Sequence, residues 1–336
     1  MRASDVLKIT PEGLYCPEGD FHIDPPKPVP RALITHGHSD HARAGHGAVL
    51  ATRETLAIMA ARYGEAFAAR SQAAEPGKPI ALGGVNVNFH PAGHVLGSAQ
   101  ILLDVGGYRL VVSGDYKRRD DPTAAPFELL RCDAFVSEAT FGLPVFTHPP
   151  DAVEVGKLMA SVAANPDRTH LVGAYSLGKA QRLIALIRHA GYDAPIGLHG
   201  AMVAVTRLYE SLGANFGDLV PVARDGDARQ QRGVVLCPPS AVTDRWSRRF
   251  ADPVTCFASG WMRVRARARQ RGVELPLIVS DHADWPELTR TVLETGCSEL
   301  WVTHGQEDAL VHWALQQGIA AHPLRLLGYD DDGDGA

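Results

Sequence analysis

Cysteine, lysine and long apolar runs are scarce in this sequence, and it carries no excess of positive charge. Five cysteines are scattered at Cys16, Cys132, Cys237, Cys256 and Cys297, an odd number with no CxxC pair. That excludes a disulfide scaffold and a cysteine-zinc ribbon, and it points to a reducing cytoplasm. No apolar stretch approaches the ~18 residues of a membrane span. The start, MRASDVLKIT, has no apolar signal-peptide core. A net charge of −5, from 33 basic and 38 acidic residues, excludes a protein whose task is to coat nucleic acid. Asp330, Asp331, Asp332 and Asp334 concentrate much of that negative charge in a tail, YDDDGDGA, that reads as solvated chain.

What is present is ample apolar material. The chain has 336 residues, 45% of them hydrophobic, enough for one large domain or two ordinary ones. Short β-rich runs recur and several end in polar clusters: RALIT before HGHSDH, VNVNF before HPAGH, YRLVVSGD, DAFVSEAT, LPLIVSDHADW and ELWVTHGQ. AQILLDV and YRLVV flank Gly106-Gly107, the signature of a tight hairpin. Helical periodicity covers about 52–69, 151–164, 177–190, 201–212, 285–295 and 307–317. Pro and Gly near 144–150 mark a boundary, and strand–helix alternation from there to about 275 predicts an α/β unit of its own.

Histidine is the outlier in composition, at 15 residues. The densest patch is His36-Gly37-His38-Ser39-Asp40-His41, directly after an apolar strand. Residues i and i+2 of an extended segment point the same way, so His36 and His38 can grip one ion. Asp40 and His41, beyond the turn, can face a second. Imidazole and carboxylate together suit zinc or a similar divalent ion.

THGHSDH resembles the signature of the metallo-β-lactamase superfamily. The resemblance implies further ligands at strand ends downstream: His94 in PAGHVLGSAQ, Asp115 in VVSGDY and His304 in WVTHGQ. His36, His38 and His94 then make one set and Asp40, His41 and His304 another, with Asp115 bridging. Asp24, closing FHID, matches the family's first acidic motif and reads as an orienter of the HGHSDH loop, with Asp20 the weaker competitor. Two zinc ions, or manganese, would activate a shared water and neutralise phosphate oxygens. Asp40 would be both ligand and catalytic group.

Glu138 in VSEATFG and His282 in SDHADW flank the extra segment. They resemble the accessory motifs of the β-CASP nucleases, with His304 as the third. By that likeness Glu138 orients His282, which protonates the leaving 3′-oxygen. In isolation Glu138 also fits a structural ion pair, and His282 a capping or core histidine. The implied fold is α/β: a metallo-β-lactamase αββα sandwich from residues 1–147 and 276–336, with a β-CASP domain inserted at 148–275.

PEGDFHIDP, AYSLGKAQR, SGWM and SDHADW resemble the short bacterial ligase-associated DNA exonucleases, which implies DNA ends as substrate and association with a ligase and a helicase. Histidine at the third accessory motif pulls toward the RNA-processing members, so RNA is the runner-up. A small-molecule hydrolase and a catalytically dead binding subunit are the other classes. The extra segment weighs against the first and the complete ligand set against the second.

Two basic features remain open. Gly173 to Lys179 fits GxxxxGK, but Ala180 stands where a Walker A loop needs Ser or Thr, so ATP is not expected. Ser176 and Lys179 there, and Ser259 and Arg263 further on, are candidate phosphate contacts, with Arg182 and Arg265 beside them. The run Arg263, Arg265, Arg267, Arg269, Arg271 is either a solvated helix or a phosphate-facing surface.

Overall fold

The computed structural model describes residues 1–222 and 228–324, so the acidic tail lies outside the described residues. The chain divides into two compact units, Phe146–Asp281 and the remainder on either side of it, Met1–Val145 with the segment from His282. The boundaries expected at 147/148 and 275/276 therefore shift. The later one moves because the strand Leu275–Leu277 pairs with Val254–Ala258 and completes the second unit's sheet.

The first unit is built on two sheets. One has six strands, running from Lys8–Thr10 to Ser71–Ala74 in chain order. The other has seven, with Ala134–Ala139 between Tyr108–Val112 and Glu299–Gly305 near its middle. Their facing side chains share one core: Leu14, Ile23, Leu33 and Leu50 from the first sheet meet Val87, Phe89, Ile101, Leu103 and Val136 from the second. The strands alternate as a two-faced sheet requires. Ile101 and Leu103 enter this core, whereas Leu102 joins Val111, Phe135, Leu300 and Val302 on the opposite face. There they pack on Leu288 and Val292 of the helix Trp285–Thr295 and on Leu310 and Ala314 of Glu307–Gln316. The six-stranded sheet has its own outer cover, with Ala32, Val49 and Ala51 against Met59 of the helix Arg53–Tyr63. The layers thus run helix, sheet, sheet, helix.

Ala99–Val105 and Tyr108–Val112 form the expected antiparallel hairpin. Gly106 and Gly107 both hold positive φ, 58° and 89°, which a side chain disfavours. The helix expected over 52–69 ends at Tyr63, because Gly64 turns the chain with φ 85°.

The second unit is a six-stranded sheet in which every registered pair is parallel, with Thr169–Gly173 near its centre. Its central strands, Thr169–Gly173 and Gly233–Cys237, are almost wholly buried, as expected for parallel strands that carry helices between them. The helix Asp151–Ala164 precedes the first of these strands, and Lys179–His189 and Gly200–Ser211 lie in the chain between them.

Candidate metal centre

Strand ends of the first unit converge on one spot. HGHSDH follows the strand Arg31–Leu33, His94 follows Val85–Pro91, and Asp115 follows Tyr108–Val112. Glu138 lies in Ala134–Ala139 and His304 in Glu299–Gly305. These last two strands are parallel neighbours whose register shifts between Glu138 and Ala139, so that His304 is the extra residue of a bulge. His304 sits at φ 56°, a left-handed conformation rare for a non-glycine residue. The bulge re-aims its ring onto that of His41, stacked at a centroid distance of 4.7 Å.

Two groups of donors result: His36, His38, His94 and Asp115, and Asp40, His41 and His304. In the first, His38 Nδ1 lies 3.1 Å from both His36 Nε2 and His94 Nε2. Asp115 touches both groups with different oxygens. Its Oδ2 is 3.4 Å from His36 Nε2 and 3.7 Å from His94 Nε2, while its Oδ1 is 3.6 Å from His41 Nε2. Asp40 Oδ2 completes the second group, 3.5 Å from His41 Nε2.

Outer contacts aim these rings. Asp24, at φ 43°, places Oδ2 2.8 Å from His41 Nδ1, leaving Nε2 facing the cluster. Thr35 donates its amide to Asp24 Oδ1 at 2.8 Å and its hydroxyl to Oδ2 at 2.5 Å. The same hydroxyl sits 3.1 Å from His36 Nδ1, where it accepts the ring proton and leaves Nε2 to bind. Gly114, just before Asp115, has φ 55°, and a Cβ there would lie 2.7 Å from the Thr35 side chain. Only glycine lets the two segments approach this closely.

The donor set fits divalent ions. Ligand nitrogens 2.0–2.1 Å from a tetrahedral zinc lie about 3.3 Å apart, near the spacings in the first group. Asp40 Oδ1 and Asp115 Oδ1 are buried with no hydrogen-bond partner, an expensive arrangement unless a cation serves them. Protonation points the same way. Burial drives the His36 and His304 imidazoles down to about 4, and it lowers His94 far below its ordinary value, with His282 and His36 adding to the effect. All three imidazoles are therefore neutral at neutral pH, the form in which a histidine can bind a metal. Burial also acts against a charge on His41, but Asp40, Asp115 and Asp24 carry it up to about 10. Three carboxylates around one ring define a place where positive charge is favoured. Burial opposes ionisation of Asp115 too, yet His41 and His36 hold its carboxyl well below the usual range.

Beside the clusters, Glu138 Oε2 lies 2.9 Å from His282 Nδ1. Glu138 Oε1 accepts the Tyr116 amide at 2.6 Å. Burial pushes the Glu138 carboxyl up, against the pull of His282. The His282 ring lies 4.6 Å from that of His94, and Asp115, Glu138 and His282 form a further group of converging donors. Thr35, Tyr116 and Lys117 escape a reading of the sequence alone, since their contributions run through contacts that no motif spacing displays.

The phosphate candidates fare differently. Lys179 is buried, its Nζ 3.1 Å from Asp281 Oδ1 and 4.6 Å from the Tyr175 ring centre. Arg182 is fully buried against Asp151. Each of the two therefore faces an acid rather than open solvent. Ser259 is buried as well and caps the turn at Trp261, accepting its amide at 3.3 Å. Ser176 is half-buried in the turn before Lys179–His189. Arg263 and Arg265 are exposed, and the helix Arg265–Arg271 buries none of its residues. Arg267 lies over the Trp261 ring at 4.1 Å.

No family model matches the chain. It is 31% identical to a probable DNA ligase of Opitutus terrae, over 95% of this chain and 32% of that protein. It is 32% identical to the endoribonuclease ysh1 of Aspergillus fumigatus over 31% of this chain and 12% of the relative. An RNase J-like protein of Methanocaldococcus jannaschii is 26% identical over 38% of this chain and 32% of its own length. The chain thus spans about a third or less of each of these relatives. A crystal structure of a protein of unknown function from Enterococcus faecalis shares the fold, with a TM-score of 0.56 at 13% identity over 88% of this chain and 78% of that one. The named relatives thus include an endoribonuclease and an RNase J-like protein.

Proposed function

We propose that this chain is a two-metal phosphodiesterase that hydrolyses nucleic acid, and specifically a DNA exonuclease. The observation that carries the reading is Asp115, which offers one oxygen to each of two donor groups. We read Met1–Val145 with the segment from His282 as the metallo-β-lactamase part, and Phe146–Asp281 as the β-CASP insert.

His36, His38, His94 and Asp115 would hold one ion, and Asp40, His41, His304 and Asp115 the other. Zinc or manganese bound there supplies Lewis acidity toward the phosphate and a water ionised at neutral pH. Asp40, with Oδ1 buried beside that position, is placed to orient the attacking water. Glu138 holds Nδ1 of His282, so that Nε2 presents the proton to the leaving 3′-oxygen. The products are a 3′-hydroxyl and a 5′-phosphate.

DNA is favoured because the relative matched along 95% of this chain bears the name of a DNA ligase, whereas the endoribonuclease match covers 31%. A ligase joins the same kind of ends that this hydrolysis leaves, which makes a ligase, and a helicase that opens ends, the expected partners. RNA cleavage is the second reading, supported by His304 and by the ribonuclease names among the relatives. All five cysteines are free and buried, which supports a reducing cytoplasm. Among the described residues no helix is long and apolar enough to cross a membrane.

The test is digestion of matched end-labelled single- and double-stranded DNA and RNA with zinc or manganese. Stepwise loss of terminal nucleotides from DNA is the expected result. Preferential cleavage of RNA selects the second reading, and no cleavage of either refutes both.

A further inference from the structure

The five consecutive residues Asp115–Arg119 connect the donor groups to the surroundings of His282. Asp115 faces both groups of donors, and the Tyr116 amide donates to Glu138 Oε1 at 2.6 Å. The Tyr116 carbonyl accepts the Ala283 amide at 2.7 Å. Lys117 Nζ lies 3.4 Å from the His282 carbonyl oxygen. Arg118 reaches Thr291 and Glu294 of the helix Trp285–Thr295, and Arg119 holds its cap, Asp284, at 2.6 Å and Glu287 at 2.9 Å.

His282 itself belongs to a stretch, 278–284, that is neither helix nor strand. No hydrogen-bond ladder sets its backbone. Glu138 meets the ring at Nδ1, and the rings of His94 and Phe141 lie 4.6 and 6.1 Å from it. The His282 carbonyl and the Ala283 amide belong to a single peptide unit. Its oxygen meets Lys117 Nζ and its N–H meets the Tyr116 carbonyl. That peptide plane is therefore tied at both ends by neighbouring residues of the segment that carries Asp115. Lys117 is 1% exposed, although an ammonium group is costly to bury without hydrogen bonds.

We propose that Lys117 is a positioning residue that fixes the His282 peptide, and through it the imidazole, relative to Asp115. Lys117 does not touch the substrate. The proposal rests on the reading of His282 as the acid that protonates the leaving oxygen. Its physical basis is that small misplacements of a catalytic group are expensive in rate.

The test uses the full chain loaded with zinc or manganese, as Lys117→Met, His282→Ala and the double variant. Two substrates separate the effects: an end-labelled DNA oligonucleotide, and bis(p-nitrophenyl) phosphate, whose leaving group needs no proton. Lys117→Met should cleave the oligonucleotide about 10- to 100-fold more slowly. It should stay within about threefold of the parent on the activated diester. The double variant should be no slower than His282→Ala, because both changes disable one function. Apart from activity, elemental analysis should find the metal content unchanged, and the Ala283 amide should exchange with solvent faster.

Full oligonucleotide activity in Lys117→Met beside a slow His282→Ala overturns the proposal alone. Full activity in His282→Ala overturns the acid assignment and the proposal with it. Equal losses on both substrates, or a further loss in the double variant, also overturn it, by giving Lys117 a different role. Should Lys117→Met fail to fold, Lys117→Gln, which keeps a donor on a shorter side chain, should lose less than His282→Ala on the oligonucleotide and nothing on the activated diester, and equal losses on both substrates overturn the proposal.

Discussion

Glu138 and His282, 144 positions apart in the chain, meet at 2.9 Å beside the donor groups. The carboxylate is fully buried and faces one ring nitrogen, Nδ1. If His282 is the acid, His282→Ala should retain both ions and lose about 100- to 10,000-fold in cleavage of DNA. Activated diesters should be far less affected. Equal losses on both kinds of substrate would make His282 a structural residue.

Asp115 predicts a different pattern. Because its two oxygens serve the two groups, Asp115→Ala should lower the content of both ions. Asp24→Ala should act mainly on the group of His41, which Asp24 touches directly, and more weakly on the group of His36, which it reaches through Thr35. Loss of such an outer partner typically weakens metal affinity about 10- to 100-fold. Elemental analysis after dialysis against a chelator series reads both effects. Two ions retained by Asp115→Ala would remove the shared-ligand reading.

How much of this was legible in the sequence depends on how far apart the partners lie. HGHSDH was readable because its donors are adjacent and follow an apolar strand. The hairpin at Gly106-Gly107 and most helices were readable because their signals are local. The conformation that lets His304 contribute was not, because it comes from a one-residue register shift between two strands. The burial of Lys179 and Arg182 was not legible for a related reason. A cation in a Gly-rich turn looks exposed until the fold brings Asp281 and Asp151 against it. Arg263 and Arg265 carry no such partner acid nearby in the chain, and they are exposed.

Buried thiols set an alkaline limit on stability. Burial pushes the Cys132 and Cys256 thiols up to about 12, whereas an unfolded cysteine ionises near 8.5. Below about pH 8.5 both states keep the proton and nothing is lost. From there to about pH 12 the unfolded state sheds protons that the folded state retains. Stability should fall by up to about 1.4 kcal/mol per pH unit for each thiol. Denaturant melts between pH 8 and 11 check this, and Cys132→Ala with Cys256→Ala should flatten the decline. An unchanged slope in that double variant would assign the alkaline loss to other groups.

The basic residues of the second unit divide into two kinds with opposite signatures. Lys179 and Asp281 are 5% and 3% exposed at their side chains, so the pair is buried. Breaking a buried pair by removing one partner typically costs about 3–5 kcal/mol. Lys179→Met should therefore lower the melting temperature sharply without a specific effect on salt dependence. Arg263 and Arg265 are exposed, and Arg265 begins a helix with no buried residue. Their removal should barely change stability. If they contact phosphates, Arg263→Ala and Arg265→Ala should each weaken binding of single-stranded DNA regardless of its sequence. Each should also shallow the plot of log affinity against log salt by about 0.7 to 1. Binding is measured with the metals removed, so that no cleavage intervenes. Unchanged slopes for both arginines would leave the run from Arg263 to Arg271 as a solvated surface, and a changed slope for Lys179→Met in folded protein would contradict its assignment as a buried structural cation.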